Sequence, residues 1–452
     1  MHNPGRNESP DRDLKRVLTS WDATALIVGI TIGSGIFATP PLIAGYLPGT
    51  AVMLLVWAFG GIMSLCGALC YAELASMFPR TGGSYVFLRE AYGPFPAFAY
   101  GWSAFFVTYP ASIAAVSVVF TAYLVRLLPF LENHRPATAA LVCLLLAGIN
   151  ILGVRLGSFT LRAFTLAKVL ALSAIFLAAF ALWKGSPGNL LPLWSPPEGG
   201  WSAAPLALSL AAVLWTYEGW SDGPTLAGEV RDRRRDVVKA LLLGTVGVTA
   251  IYLLTNLAYL FVLGIDGVRG SESVAGDVAG RLFGAAGSTF VTLLVLVSTL
   301  GSIMGMIVGG SRVFFALGRD GLFLRAVGRV DPRFGTPSIA LAGLAVIAAL
   351  YCLAGTFEEI IRYFVFISTF WFILNIGSVI LHRLRRPDHE RPFRVPFYPW
   401  PVAVYLAAAV ALWIQLLAEN TRDSLIGLGI LAGSIPVYLV WMRVREKLDR
   451  ER

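Results

Sequence analysis

Gly29, Ile30, Thr31, Ile32, Gly33, Ser34 and Gly35 interrupt the first apolar segment of the chain, and Pro40 and Pro41 lie just beyond them. In lipid an unpaired amide costs several kcal/mol, so three glycines and a serine at mid-segment need a reason. Where a membrane helix is interrupted inside a bundle, the freed N–H groups and the positive end of the following half-helix can hold a carboxylate. A second interruption, Trp215-Thr216-Tyr217-Glu218-Gly219-Trp220-Ser221-Asp222-Gly223-Pro224, follows about five apolar segments later. The chemistry these residues point to is non-covalent capture of a small carboxylate-bearing solute. No nucleophile with a base and no cluster of metal ligands is apparent, so neither an enzyme nor a metal or cofactor is expected.

The elements that must position these residues are apolar helices. The chain has 452 residues, of which 56% are hydrophobic and 14% charged, and a mean hydropathy of +0.70. This is the composition of an all-α membrane protein, not of a water-soluble globular domain. The net charge of +9 is spread over short stretches between apolar segments, which argues for topology signals rather than nucleic-acid binding. Cys66, Cys70, Cys143 and Cys352 all fall in apolar runs, so no disulfide is expected. The first segment is long and lacks a small-residue cleavage site, and is expected to remain as a helix.

At about 20 residues per span, the pattern predicts about twelve helices, near 17–39, 50–77, 96–127, 138–154, 159–183, 205–228, 237–264, 287–318, 336–354, 358–384, 399–418 and 424–444. Arg80 and Arg89, Arg155 and Arg162, Arg231 to Lys239, Arg319 to Arg333, and Arg383 to Arg394 follow alternate segments. That side is cytoplasmic by the positive-inside rule, which puts both termini inside. The Gly-rich connection near 265–286 is expected to hold a short helix over the outer entrance. Two breaks in corresponding positions indicate an inverted repeat. Residues 17–183 form the first five-helix repeat and 205–384 the second. Two helices, 399–444, are appended, with tails at 1–16 and 445–452.

Five blocks in order carry a resemblance: Gly33-Ser34-Gly35-Ile36-Phe37; Tyr71-Ala72-Glu73-Leu74 leading into Phe78-Pro79-Arg80-Thr81-Gly82-Gly83-Ser84-Tyr85; Gly101-Trp102; Trp215 to Trp220 with Gly228-Glu229-Val230; and Arg319-Asp320-Gly321 followed by Asp331 to Pro337. The chain resembles the amino acid, polyamine and organocation (APC) superfamily over nearly its whole length, and most closely bacterial members akin to the L-type amino-acid transporters. One departure follows Glu229, where relatives usually carry prolines near Arg233 and Val238.

The resemblance implies a leucine-transporter-like architecture and a substrate site comprising Ile30, Thr31, Gly33, Ser34 and Gly35 with Trp215, Thr216, Tyr217, Glu218 and Gly219. It implies that the amides of Gly33, Ser34 and Gly35 receive the carboxylate, and that the carbonyls of Ile30 and Trp215 meet the ammonium group. Amides in a dry cavity make charge-assisted hydrogen bonds without burying a permanent positive side chain. Trp215 is read as an outer gate closing over the substrate, with aromatic packing as the alternative.

Glu218 is costly at membrane depth unless paired or protonated. Three roles are open: attracting an ammonium group, binding a coupling proton, or bracing the unwound segment by accepting from nearby amides. Bracing is preferred. Lys168 lies within the apolar run 161–183, where it either bridges buried carbonyls or snorkels to the headgroups. The resemblance implies that it takes the place of a sodium ion, tying Gly29 to the region of Ser298, Thr299 and Ser302, and hence sodium independence. Glu73, Glu229 and Asp320 are read as gate or loop ion pairs. Tyr109, Pro110 and Ser112 fit either the side-chain pocket or helix packing, and Trp194, Trp400 and Trp441 an interfacial belt.

The function expected is alternating-access transport of amino acids, neutral L-amino acids first, in which the first, second, sixth and seventh helices move against the third, fourth, eighth and ninth. A proton-coupled or exchange carrier of cationic amino acids or polyamines is the rival. A channel is disfavoured because no charged ring or filter repeat is present. The expected partners are the solute and the bilayer. No disulfide-linked subunit is expected, since the loop near 128–137 has no cysteine.

Overall fold

The computed structural model describes residues 19–80, 82–152, 158–196, 202–228, 230, 232, 235–319 and 326–450. The N-terminal tail 1–16, Arg155, Glu229, Arg231, Arg233, Arg234, Asp320 and Arg325, all singled out above, lie outside the described residues.

Thr19 opens the chain's first helix with a capping box. Its Oγ1 accepts from the Asp22 amide at 3.3 Å while the Asp22 carboxylate accepts from the Thr19 amide at 3.0 Å, satisfying two donors that a helix start leaves free. Helix α1 spans Ser20–Thr31 and α2 spans Gly35–Tyr46, and the two are bent by 44° across the break between them. Pro40 and Pro41 sit inside α2. Pro41 has no amide to offer the Phe37 carbonyl; the Tyr123 hydroxyl donates to that carbonyl instead, at 3.2 Å.

Helix α3 (Thr50–Met77) follows, then α4 (Ser84–Tyr92), a short helix that the hydropathy pattern does not reveal. The expected segment 96–127 is α5 (Pro94–Ser103), a π turn at Ala104–Thr108 and α6 (Tyr109–Leu127). Next come α7 (Arg135–Ile151), α8 (Ser158–Ala181) and α9 (Ala203–Tyr217), the last followed by a 3₁₀ stretch at Trp220–Gly228. The segment expected over 205–228 with an interruption at 215–224 is a helix followed by this 3₁₀ stretch. Helix α10 covers Asp236–Arg269 and α11 covers Val274–Arg319, each folded sharply at one glycine, Gly264 (φ 72°) and Gly284 (φ 75°). Left-handed glycines allow such corners without ending the helix on either side. The connection expected at 265–286 is therefore mostly helical, and Val268, Val274, Ala275 and Val278 in it are fully buried. The chain closes with α12 (Ser338–Ala354), α13 (Phe357–Arg385), α14 (Trp400–Glu419) and α15 (Thr421–Arg450).

Among the described residues, eight helical stretches are long and apolar enough to cross a membrane, and nine if α1 and α2 count as one bent span. Helix α12, with 17 residues, reaches about 25 Å, short of the roughly 30 Å hydrocarbon core. Helices pack so that α2 lies on α9, α10 on both α1 and α3, and α11 on α6 and α8. The four cysteines are free, three of them buried; the Cys143 and Cys352 sulfurs are 3.9 Å apart.

Ion pairs hold the two ends of this bundle. At the end rich in arginine, the fully buried carboxylate of Glu73 on α3 accepts from Arg383 of α13 at 2.6 and 3.0 Å and from the Val395 amide at 2.7 Å, with Arg391 Nε at 3.6 Å. At the opposite end, the Tyr46 hydroxyl of α2 donates to Glu358 of α13, which also pairs with Arg362 at 2.8 Å. Arg362 reaches Asp423 of α15 at 3.5 Å. Glu73→Ala would leave Arg391, whose side chain is 4% exposed, without its counter-charge. It is expected to cost about 3–5 kcal/mol, read as a lowered midpoint of thermal unfolding in detergent, whereas Glu132→Ala, on an exposed pair, moves it within about 1 kcal/mol.

Candidate functional site

The first break begins where α1 runs out of partners. The Ile32 amide still donates to Val28 at 2.7 Å, and Gly33 donates to the Thr31 carbonyl at 2.7 Å. Ser34 then turns back to helical angles without capping α2 through its side chain, and its buried Oγ has no partner among the described residues. The Phe37 amide donates to the Ser34 carbonyl at 3.1 Å, whereas those of Ser34, Gly35 and Ile36 donate to no backbone carbonyl among the described residues, the arrangement that holds anions at helix starts.

The second break mirrors this with a different backbone. Glu218 is extended (ψ 144°), its amide donating to the Trp215 carbonyl at 3.1 Å. Gly219 adopts φ 132°, and the Asp222 amide returns to the Gly219 carbonyl at 3.2 Å. Trp215 O thus has one lone pair occupied and one left.

The two breaks touch. A Cβ on Gly219 would sit 2.8 Å from the Thr31 backbone, and one on Gly35 would sit 2.7 Å from the Thr216 side chain and 2.9 Å from its Cα. Thr39 and Thr216 hydroxyls are 2.9 Å apart. Tyr252 of α10 lies between the spans, its hydroxyl 2.7 Å from the Thr31 carbonyl and 3.1 Å from the Thr216 carbonyl. One proton serves two acceptors, so this hydroxyl ties the unwound ends to each other. Its ring is wedged against Trp57 and Tyr217, at 5.7 and 5.1 Å between centroids, and the Tyr217 hydroxyl donates to Trp57 O at 3.2 Å.

Lys168 lies on α8 with 5% of its surface exposed. Its ammonium donates to the Ile32 carbonyl at 3.1 Å, to Ser302 Oγ at 3.3 Å and to the Gly29 carbonyl at 3.4 Å. It thereby joins the end of α1 to α11, with a positive charge where the α1 dipole is negative. Of the three α11 hydroxyls weighed from the sequence, only Ser302 meets it. Thr299 bonds within its own helix and Ser298 Oγ has no partner among the described residues. Gly29 lets α8 approach, since a Cβ there would collide with Thr165 at 2.0 Å.

Trp215 is nearly buried, its ring edge-on to Phe357 at 5.5 Å. With Glu218 and Trp220 it lines a small pocket whose other polar members are Ser64, Ser368, Thr369 and Tyr405. Glu218 accepts from Ser221 Oγ at 3.1 Å. Among the described residues no backbone amide donates to its carboxylate and no basic group pairs with it. Tyr109, Pro110 and Ser112 do not line this pocket; Tyr109 packs against Phe314 at 6.2 Å. Ile30 is 41% exposed and does not line this pocket.

The sequence pattern of the amino acid permease family matches residues 18–435. The chain belongs to this family. The permease is 30% identical to the b(0,+)-type amino acid transporter 1 of Homo sapiens, over 97% of its own length and 90% of that protein. It is 29% identical to the serine/threonine exchanger SteT of Bacillus subtilis (strain 168), over 95% and 97%. It is also 30% identical to the human Asc-type amino acid transporter 1, over 96% and 82%. It is a multi-pass membrane transporter and not an enzyme.

Sequence reasoning missed Tyr252 as a member of the permease's site. The available signal was a tyrosine inside an apolar helix, whose hydroxyl must find an acceptor there; which acceptor depends on the bend of two other helices. Glycine spacing separates into two kinds of requirement. Gly219→Ala meets both a left-handed backbone and the Thr31 main chain, and is expected to abolish solute binding or folding. Gly33→Ala, with its nearest atom at 3.8 Å, is expected to fold with an unchanged unfolding midpoint. Thermal unfolding and size-exclusion profiles of the two variants check this.

Proposed function

We propose that this permease carries neutral L-amino acids across the cell membrane by alternating access, without sodium, as an exchanger or facilitator. The observation that supports it most is the contact between the two breaks, which sets unshared α2 amides beside the carbonyl ends of α1 and α9. A zwitterion fits that polarity: carboxylate on the amides of Ser34 and Gly35, and on that of Gly33 once it releases the Thr31 carbonyl, ammonium on the carbonyls of Ile30 and Trp215. Thr31, Thr216, Tyr217 and Gly219 hold the frame, and the Trp215 indole closes over the solute. Twelve spans, two inverted repeats (17–183 and 205–384), an appended pair and cytoplasmic termini complete the reading. Access would alternate by movement about the two breaks, with the tie of α13 to α2 through Tyr46 and Glu358 opening at one end. No covalent subunit is part of it, in keeping with four cysteines that are buried or half-buried.

Lys168 supports sodium independence, because its ammonium already occupies a carbonyl and hydroxyl cluster of the kind that would bind a small cation. The names of the relatives, a serine/threonine exchanger and amino acid transporters of two types, support amino acids as the solute class and exchange as the mode. A second reading, cationic amino acids, is favoured by one observation: the Glu218 carboxylate lines the pocket beside Trp215 without a basic partner among the described residues.

Counterflow in proteoliposomes tests the proposal. Uptake of a labelled neutral amino acid is expected to rise with unlabelled solute inside, and to be the same in sodium chloride and choline chloride. A requirement for sodium overturns the reading of Lys168, and no uptake of any of the twenty amino acids overturns the function. Under the second reading, Glu218→Gln weakens inhibition by arginine relative to inhibition by alanine at least tenfold, the scale of one lost charged hydrogen bond. Equal effects on both inhibitors remove it.

A further inference from the structure

The turn joining α13 to α14 combines exposed apolar side chains with uncommitted positive charge. Phe397 is 85% exposed, Leu384 75% and Trp400 71%; these are three of the five large apolar side chains that exceed 70% among the described residues. Arg385 and Arg394 in the same stretch are exposed, and neither makes a hydrogen bond or ion pair among the described residues. The neighbouring arginines are all committed. Arg383 holds Glu73 and lies over the Tyr398 ring at 3.9 Å. Arg386 reaches Glu90 at 3.2 Å, and Arg391 donates to the carbonyls of His382, Arg386, Pro387 and His389 at 2.8–2.9 Å. The turn is therefore pinned from inside, and its two free guanidinium groups and three apolar side chains stand outward on a fixed frame.

Between Arg383 and Arg394 the sequence carries five arginines against Asp388 and Glu390. Helices α13 and α14 are both apolar enough to cross a membrane, so their junction lies at the edge of the hydrocarbon. We propose that this turn binds the headgroup of an anionic phospholipid, Arg385 and Arg394 meeting its phosphate while Leu384, Phe397 and Trp400 enter the boundary between headgroups and acyl chains. Guanidinium groups suit phosphate through paired N–H donors, and aromatic rings prefer that depth. A soluble acidic protein would gain nothing from the apolar side chains at the span ends, whereas a lipid uses both features.

The test is lipid retention by the purified full-length permease, read by native mass spectrometry after exchange into equimolar phosphatidylglycerol and phosphatidylcholine. The wild type is expected to retain phosphatidylglycerol over phosphatidylcholine about thirty-fold, from about 1 kcal/mol for each of two arginines, and less in high salt. Arg385→Gln with Arg394→Gln reduces this to a few-fold, while Arg329→Gln with Arg333→Gln at the same end of the bundle leaves it in place. Phe397→Ala with Trp400→Ala lowers retention of both lipids alike. Equal retention of the two lipids by the wild type overturns the proposal, as does an equal loss in the two arginine pairs. All of these readouts are independent of transport, so they stand whether or not the proposed solute is right.

Discussion

An amide or carbonyl released inside hydrocarbon has no water to fall back on, and this chain releases two sets of them at mid-bundle. Three side chains near the breaks answer that constraint. Tyr252 supplies one proton to Thr31 and Thr216, Lys168 supplies donors to Gly29 and Ile32, and Tyr123 covers the carbonyl that Pro41 leaves open. What stays uncovered is the start of α2, with the Ser34 hydroxyl unpartnered beside it. A polar remnant of that kind at the contact between the two breaks is where a solute can contribute what the chain withholds.

The strong electrostatic contacts are kept away from this centre. Charged pairs sit at the two ends of α13, joined to α2 at one end and to α3 at the other, while the contact between the two breaks is held by hydroxyl and carbonyl contacts of about 1 kcal/mol each, with the Lys168 ammonium to one side. Bonds of that size can be exchanged one at a time as helices shift. A buried carboxylate such as Glu73 is different in kind, because separating it from its arginines strands charge. The packing therefore favours movement about the breaks over movement within the Glu73 cluster.

Much of this was legible in residue types. The two breaks, their partnership and the buried lysine follow from glycines, a carboxylate and an ammonium placed where hydrocarbon forbids them, and the helices from apolar runs of the right length. Three things were not legible. Helix α4 is short and amphipathic, so hydropathy passes over it. The corners at Gly264 and Gly284 keep apolar residues on both sides, so a Gly-rich connection and a folded-back helix look alike in composition. The reach of Tyr252 depends on how three helices cross, which no local pattern records. At Glu218 the carboxylate accepts from the Ser221 hydroxyl, while the amides of Glu218 and Asp222 donate to the Trp215 and Gly219 carbonyls, a choice set by the extended backbone at Glu218 and the left-handed Gly219.

The Lys168 junction has one more consequence. A diffusible ion bridging α1, α8 and α11 would come and go with its concentration, and the stiffness of the junction would vary with the medium. An ammonium on a covalent stem has a local concentration that dilution cannot change. The end of α1 is therefore braced equally in fresh water and in brine.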